Sequence, residues 1–246
     1  MKNMNTMTLL AAGTCAMIAA SAANAALVAG WDFQTSPGTA VAGSSNPSTW
    51  VANFGSGNLY TGGLFGSTST APAVTGLTGT NLNTSGTSLS TTTSSPAAIG
   101  LINSNNLAAR SIVFKVSMTG YSDLAISYAG ARSSSASGYG FRTMDWSWGV
   151  GTSTAAPASY TSASSSLVIA DTVGNGTYGA FTVLGDTTGL NVSEFVYVKL
   201  TLSGATNTSG GSFRLDNVQF NATAVPAPGA IALLGVAGLV GSRRRR

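Results

Sequence analysis

The sequence predicts an all-β fold, an antiparallel β-sandwich of jelly-roll type. Gly, Ser, Thr, Ala and Asn dominate the middle of the chain, whereas the helix-favouring Glu, Lys and Gln are scarce. Short stretches of alternating apolar and polar residues recur there, separated by Gly-rich turns and without helical periodicity. Recurrent strands of this kind indicate two antiparallel sheets packed face to face.

Residue parity predicts the individual strands. Residues 27–33 give a first strand, and alternation over residues 112–118 and 124–128 predicts two adjacent strands joined by a short turn. Further strands are predicted at residues 143–150, 179–184, 196–202 and 212–220. Residues 55–95 are dense in Thr, Ser, Gly and Asn, and this composition fits long loops, edge strands or a partly ordered flank.

The positive charge of the chain lies at its two ends. The formal net charge is +4, from 11 basic and 7 acidic residues. Five of the basic residues, Lys2 and the arginines at 243–246, belong to the terminal segments; without them six basic residues face seven acidic ones, a net charge of −1. Nucleic-acid binding needs a clustered basic face. The central domain is therefore not predicted to bind nucleic acid.

Cysteine and histidine are missing from the central domain. Cys15 is the only cysteine and lies in the N-terminal segment, and the chain has no histidine. The mature protein is therefore expected to form no disulfide. These absences also exclude Ser-His-Asp and Cys-His catalysis, and zinc sites built from His and Cys.

The N-terminus has the pattern of a secretory signal peptide. An apolar run at residues 7–20 is followed by Ala23 and Ala25, small residues at the two positions that signal peptidase recognises. Residues 1–25 are therefore predicted to form a signal helix that is cleaved before Ala26. The alternative is a buried core helix.

The C-terminus combines a proline motif, a short apolar segment and an arginine run. The motif and the run are Val225, Pro226, Ala227, Pro228, Gly229, and Arg243, Arg244, Arg245, Arg246. A helix over residues 229–241 would be about 20 Å long at about 1.5 Å per residue, shorter than a bilayer core of about 30 Å. The terminal arginines are expected to stay in the cytoplasm, with the folded domain outside. Residues 225–246 are thus predicted to be a sorting or anchor segment with a short apolar helix, and the alternative is a plain tail anchor or a disordered tail.

This arrangement resembles the PEP-CTERM sorting signal. In that family a Pro-x-Pro motif, an apolar segment and basic residues are recognised by exosortase, a transpeptidase-like membrane enzyme of bacteria that make extracellular polysaccharide. The family has Glu between the prolines, whereas this chain has Ala227. The resemblance implies processing by exosortase, membrane association before processing, and a final location in the cell envelope or extracellular matrix.

Residues 26–224 are similar to a domain common in PEP-CTERM proteins. The similarity lies in W-D-F at residues 31–33, T-G-Y-S-D-L-A-I-S-Y at 119–128, the Arg- and Ser-containing loop at 132–142, and F-R-L-D-N-V-Q-F at 213–220. It implies a β-sandwich domain over most of residues 26–224. It implies a fold more than an activity.

The last predicted strand breaks its parity beside an acidic residue. Apolar residues change from odd to even positions across residues 213–220, which predicts a bulge or bend at 216–217. Asp216 resembles an Asp that, in many carbohydrate-binding jelly rolls, holds a structural calcium together with groups of the first strand; Asp32 would be the matching carboxylate. Oxygen ligands suit calcium. The alternative is that both carboxylates cap turns or bond to the backbone.

Aromatic residues are the candidate sugar contacts. Tyr139 and Phe141 lie in a Gly- and Ser-rich loop and are predicted to be exposed. Trp146 and Trp148 share a parity with Met144 and Val150, so they are predicted to lie in the core. The alternative is that they form a platform on which sugars stack.

Only carboxylates remain as candidates for catalysis. They are Asp32, Asp123, Asp145, Asp171, Asp186, Glu194 and Asp216. A glycoside hydrolase needs two of them facing each other across a cleft, and no local motif nominates a pair. The sequence therefore predicts an exported, non-enzymatic envelope or matrix protein with a structural or adhesive role in extracellular polysaccharide. A carbohydrate-binding module with structural calcium is the alternative, and a glycoside hydrolase or lyase ranks third.

Overall fold

The structure, a computed structural model, describes residues 25–34, 49–61, 73–85, 87, 89–91, 98–102, 109–132, 140–162, 167–168, 177–183, 195–205 and 211–225. Within these ranges the secondary structure consists of fourteen β-strands. They are β1 (Ala25–Trp31), β2 (Thr49–Val51), β3 (Phe54–Gly55), β4 (Gly57–Tyr60), β5 (Ala73–Leu77), β6 (Ala98–Ile102), β7 (Arg110–Ser117), β8 (Tyr121–Arg132), β9 (Thr143–Gly151), β10 (Thr161–Ser162), β11 (Leu167–Val168), β12 (Gly179–Val183), β13 (Phe195–Ser203) and β14 (Ser212–Ala224). The predicted signal helix and C-terminal apolar helix lie outside the described residues.

The strands form two seven-stranded antiparallel sheets that pack face to face. Sheet A has the order β12-β8-β14-β1-β3, with β6 paired to both β14 and β5. Sheet B has the order β10-β9-β13-β7-β4-β2, with β11 paired to β9. The predicted all-β sandwich is therefore confirmed.

The core between the sheets is aromatic at its centre. Trp31 of β1 is fully buried, and its ring centroid lies 5.1 Å from that of Phe114 in β7 and 5.6 Å from that of Phe220 in β14. Both pairs meet edge to face, a favourable geometry for aromatic rings. Trp146 of β9 stacks on Phe114 with centroids 6.1 Å apart. These contacts join strands of both sheets into one core.

The consecutive strands β7 and β8 face each other across this core. The residues that share the predicted apolar parity are buried in both strands and directly after β7: Ile112, Phe114, Val116, Met118, Leu124, Ile126 and Tyr128. The prediction that the two strands are adjacent is wrong, because β7 belongs to sheet B and β8 to sheet A and the turn carries the chain from one sheet to the other. The turn between them is tight, because the Tyr121 amide donates to the Met118 carbonyl at 2.9 Å and Gly120 has a φ of 80°.

The tryptophan strand β9 lies partly in the core. Trp146 is buried, as predicted, whereas Trp148 is half-buried and packs against the core from its margin. Val150, on the same predicted face, is 41% exposed. The apolar face of β9 therefore extends past the end of the core.

The Ser- and Thr-rich region at residues 55–95 contains both strands and irregular structure. β4 pairs with β7 in sheet B, and β5 pairs with β6 at the edge of sheet A. The described residues of 78–91 form no strand and run against sheet A, where a Cβ on Gly30 of β1 would lie 3.1 Å from the Leu89 side chain. We call these residues the cover segment.

Candidate functional site

The candidate site lies where β14 changes its neighbour in sheet A. On one edge β14 pairs with β6 up to Leu215 and with β1 from Val218 onward. Asp216 and Asn217 lie between the two ladders, and the register with β8 on the other edge shifts directly after Asp216. Asn217 has a φ of 46°, a left-handed conformation that Asn tolerates better than most residues. The bulge predicted at residues 216–217 is confirmed.

The cover segment forms hydrogen bonds with the two residues that lie between the ladders. The Thr80 amide donates to Asp216 Oδ2 at 2.8 Å, and Asn217 Nδ2 donates to the carbonyls of Thr80 and Leu82 at 2.7 and 2.9 Å. Asn83 Nδ2 in turn donates to the Asn217 carbonyl at 2.7 Å. Both side chains of the bulge therefore reach Thr80 on the same side of the sheet, although consecutive residues of a regular strand point to opposite sides.

Asp32 directly follows β1 and holds the other end of the cover segment. Its Oδ1 accepts a hydrogen bond from the Gln34 amide and its Oδ2 one from the Ser90 amide, both at 3.2 Å. The Ser90 hydroxyl also donates to Gln34 Oε1 at 2.6 Å. We call Asp32, Asp216, Asn217, Thr80 and Ser90 the junction cluster. Asp216 therefore binds the cover segment near its start, at Thr80, and Asp32 binds it near its end, at Ser90.

The two carboxylates of the junction cluster repel each other. Burial raises the pKa of Asp216 to about 8, and the negative charge of Asp32 contributes in the same direction. The amide hydrogen bonds from Thr80 and Asn217 oppose this rise because they stabilise the ionised carboxylate. The cluster therefore favours a state in which Asp216 carries a proton or the paired charges are neutralised in another way.

The two predicted calcium ligands, Asp32 and Asp216, lie in this one cluster. Both carboxylates accept backbone hydrogen bonds, which is the role that the alternative interpretation assigned to them. In the part of the chain that the structure describes, no three Asp, Glu, His or Cys side chains group in a way that could hold a metal ion. Sequence reasoning missed Asn217, although the parity break beside it was the available signal.

The predicted exposure of Phe141 is wrong. Its ring is 1% exposed and belongs to the hydrophobic core. The chain turns inward here, since Gly140 has a φ of 70° and a Cβ on it would lie 3.3 Å from the Ser212 carbonyl oxygen. Phe141 therefore offers no face to a sugar. Tyr139, the other predicted contact, lies outside the described residues.

The described residues next to the two predicted processing sites lie at the paired ends of β1 and β14. Ala25 and Ala26, on either side of the predicted cleavage, are the first residues of β1 and pair with Thr223 and Ala222 of β14. Val225 is 52% exposed. The other residues of the two signals lie outside the described residues: Ala23, Pro226, Ala227, Pro228, Gly229, Arg243, Arg244, Arg245 and Arg246. Among the residues that are described, no helix is long and apolar enough to cross a membrane.

Comparison with known proteins adds no relative. No protein-family model matches the chain, and no curated protein matches it significantly.

Proposed function

We propose that the chain is an exported, non-enzymatic protein of the cell envelope or extracellular matrix, with a structural or adhesive role in extracellular polysaccharide. Signal peptidase removes residues 1–25, and exosortase processes the sorting segment at the proline motif, residues 225–229. The sandwich connects its strands as a jelly roll. The membrane holds the C-terminal segment until processing takes place.

The pairing of the first and last strands is the observation that carries this proposal. β1 and β14 run antiparallel with Ala26 opposite Ala222, so the two ends of the processed domain lie side by side. Beyond β14, the Val225 amide donates to the Gly120 carbonyl at 2.9 Å. The two segments expected to meet the membrane are therefore attached at the same end of the sandwich. This arrangement supports export and sorting, because both processing enzymes act at the membrane.

The environment of the carboxylates supports a non-enzymatic role. Asp32 and Asp216 are buried and bond to backbone amides. Asp123 is exposed and accepts a hydrogen bond from the Ser122 hydroxyl at 2.8 Å. A glycoside hydrolase instead needs two carboxylates that face a substrate across a cleft. Asp145 is half-buried on β9, and the other three acidic residues, Asp171, Asp186 and Glu194, lie outside the described residues.

A carbohydrate-binding module with structural calcium is the second candidate. The junction cluster favours it, because its side chains offer oxygen ligands of the kind calcium prefers. The burial of Phe141 counts against it by removing one of the two predicted sugar contacts. A glycan array probed with the full chain, with calcium and with chelator, separates the candidates. Glycan-specific binding that depends on calcium would favour the module.

Processing at the proline motif predicts a shorter mature chain. Intact-mass measurement of the protein from its native envelope is expected to show that residues 1–25 and the arginines at 243–246 are missing. Deletion of the exosortase gene in the same host is the control and should restore the C-terminal arginines. Recovery of chains that end at Arg246 from the unmodified host would contradict processing and indicate a simple tail anchor.

Removal of the sorting segment is expected to leave the domain equally stable. β14 ends at Ala224, so a chain that stops after Val225 keeps every described strand and the bond to Gly120. The free energy of unfolding should change by no more than about 0.5 kcal/mol. Urea denaturation of the truncated and full-length chains in the same detergent measures the difference. A loss of several kcal/mol would show that residues 226–246 belong to the core.

A further inference from the structure

The outer side of sheet B carries both lysines of the central domain, Lys115 on β7 and Lys199 on β13. Their neighbours in sequence, Val116 and Val198, lie in the core, so the two lysines are on the opposite side of the sheet. Lys115 pairs with Tyr197 of β13, and Lys199 is the next residue of that strand on the same side. The two lysines are therefore diagonal neighbours, with Cα atoms about 7–8 Å apart.

Each ammonium group lies against an aromatic ring. Lys115 Nζ is 4.6 Å from the ring centroid of Phe195 and 5.9 Å from that of Tyr197. Lys199 Nζ is 4.2 Å from the ring centroid of Tyr160. Such cation–π contacts hold a lysine side chain in place and leave its charge intact, because the ring is neutral. We call these five residues the lysine face; all of them except Tyr197 are half-buried, so part of each is open to a ligand.

A loop at residues 152–160 fixes one end of the lysine face. The Tyr197 hydroxyl donates a hydrogen bond to the Thr152 carbonyl, and Lys115 Nζ donates one to the Ser153 carbonyl. A ligand therefore meets side chains that are already in position, which reduces the entropy that binding costs.

The lysine face is positively charged at neutral pH. Burial raises the pKa of Tyr160 to about 12, and the neighbouring Tyr197 contributes in the same direction. Burial also raises the pKa of Tyr197. Both phenols therefore stay uncharged, and the two ammonium groups make the face positive. Asp145 of β9 lies on the same side of the sheet, two residues from the partner of Lys199, and weakens this positive potential.

We propose that the lysine face is a docking surface for an acidic polysaccharide, a polymer of uronic acid sugars whose carboxylates pair with Lys115 and Lys199. The rings of Phe195 and Tyr160 contact the apolar faces of the sugars. One carboxylate per sugar suits a face with two cations, whereas nucleic acid has a denser charge and needs a larger basic patch. This inference rests on the proposed function, since it names the class of polysaccharide and the surface that binds it.

Amine labelling of the full wild-type chain in detergent tests the surface without any substitution. An acylating reagent modifies amino groups, and mass spectrometry measures the labelling of Lys115 and Lys199 separately. Polygalacturonate, a uronic acid polymer, at ten times its Kd should lower the labelling of both lysines about tenfold. Neutral dextran of the same length should leave it unchanged, and about 0.5 M NaCl should remove the protection by screening the charges.

Two results of the labelling experiment would overturn the proposal. Equal labelling in polygalacturonate and dextran would show that the acidic polymer does not bind the lysine face. Equal protection by single-stranded DNA would assign the face to nucleic acid, which also stacks on aromatic rings. Neither result affects the processing measured by intact mass, so failure of this inference and failure of the proposed function are distinguishable.

Substitutions on the lysine face give a second measurement, the affinity for polygalacturonate by calorimetric titration. Lys115→Gln and Lys199→Gln should each weaken binding about three- to fivefold, as expected for an exposed ion pair, whereas Lys199→Arg keeps the charge and should keep the affinity. Asp145→Asn should strengthen binding, and Asp123→Asn, the same change of charge on sheet A, should not. The arginines at 243–246 are present in every variant, so the differences report on the face. Wild-type affinity in the double lysine variant would overturn the proposal.

Discussion

The metal-free chain is expected to lose stability on the order of 5 kcal/mol as the pH rises from about 4 to about 8. Folding raises the pKa of Asp216 from 3.8 to about 8. Between these values the folded chain holds a proton that the unfolded chain releases. The stabilisation is therefore complete below the unfolded pKa and disappears as the pH rises through the folded pKa. The direction is opposite to that of most buried, salt-bridged carboxylates.

Urea denaturation in chelator at a series of pH values measures this effect. Asp216→Asn resembles the protonated acid and should flatten the profile, whereas Asp123→Asn should leave the slope unchanged. The charge of Asp32 also contributes to the raised pKa of Asp216. Tyr178 interacts with Asp216 as well: burial and the charge of Asp216 raise the pKa of Tyr178, and Arg214 opposes this rise. A stability that is flat or increasing over this range in the wild-type chain would contradict the prediction.

Trp31→Ala is expected to reduce the free energy of unfolding by about 3–5 kcal/mol. Trp31 is fully buried, and its ring contacts Phe114 in the opposite sheet and Phe220 on the neighbouring strand. Its Nε1 also donates to the Trp50 carbonyl at 3.3 Å. Alanine leaves a cavity at the centre of the core, because ring partners from two sheets cannot collapse into it together. Urea denaturation measures the loss.

Trp148→Ala provides the matched control for this substitution. Trp148 is half-buried at the margin of the core, so its removal should reduce the free energy of unfolding by less than about 2 kcal/mol. If both variants unfold in the same way as the wild type, their free energy of unfolding should fall with urea concentration at the wild-type slope. Equal losses of unfolding free energy in the two variants would contradict the prediction, because they would show that Trp31 contributes no more to the core packing than Trp148 does.

Local periodicity was sufficient to predict the sandwich but not the path of the chain through it. Alternation identified the apolar faces of β7, β8 and β14, because a strand with one buried face must repeat every two residues. The placement of β7 and β8 in opposite sheets depends on the turn at Gly120 and on partners distant in sequence. Phe141 was predicted wrongly for a related reason. Its Gly- and Ser-rich surroundings suggest a loop, while the inward turn at Gly140 depends on packing against Ser212.

The candidate site shows the same limit. The parity break beside Asp216 predicted the bulge, since one extra residue shifts every later side chain to the other face. Nothing local to residues 78–91 indicates that Thr80 and Ser90 bond to carboxylates far away in the sequence. Their Ser- and Thr-rich composition is that of an ordinary loop. The role of Asn217 depends on the change from β6 to β1 along one edge of β14, which only the sheet order reveals.

The central place of β14 in sheet A also determines when the domain can fold during synthesis. Of the described strands β14 is the last to be made, and β1, β6 and β8 all pair with it. Among the described strands, β1 has only the short ladder with β3 before β14 emerges, β6 has only β5, and β8 has only β12. Contacts between such distant segments form slowly. The four central strands of sheet B, β4, β7, β9 and β13, are all made before β14. The apolar face of sheet B therefore stays uncovered in the nascent chain until β14 completes sheet A.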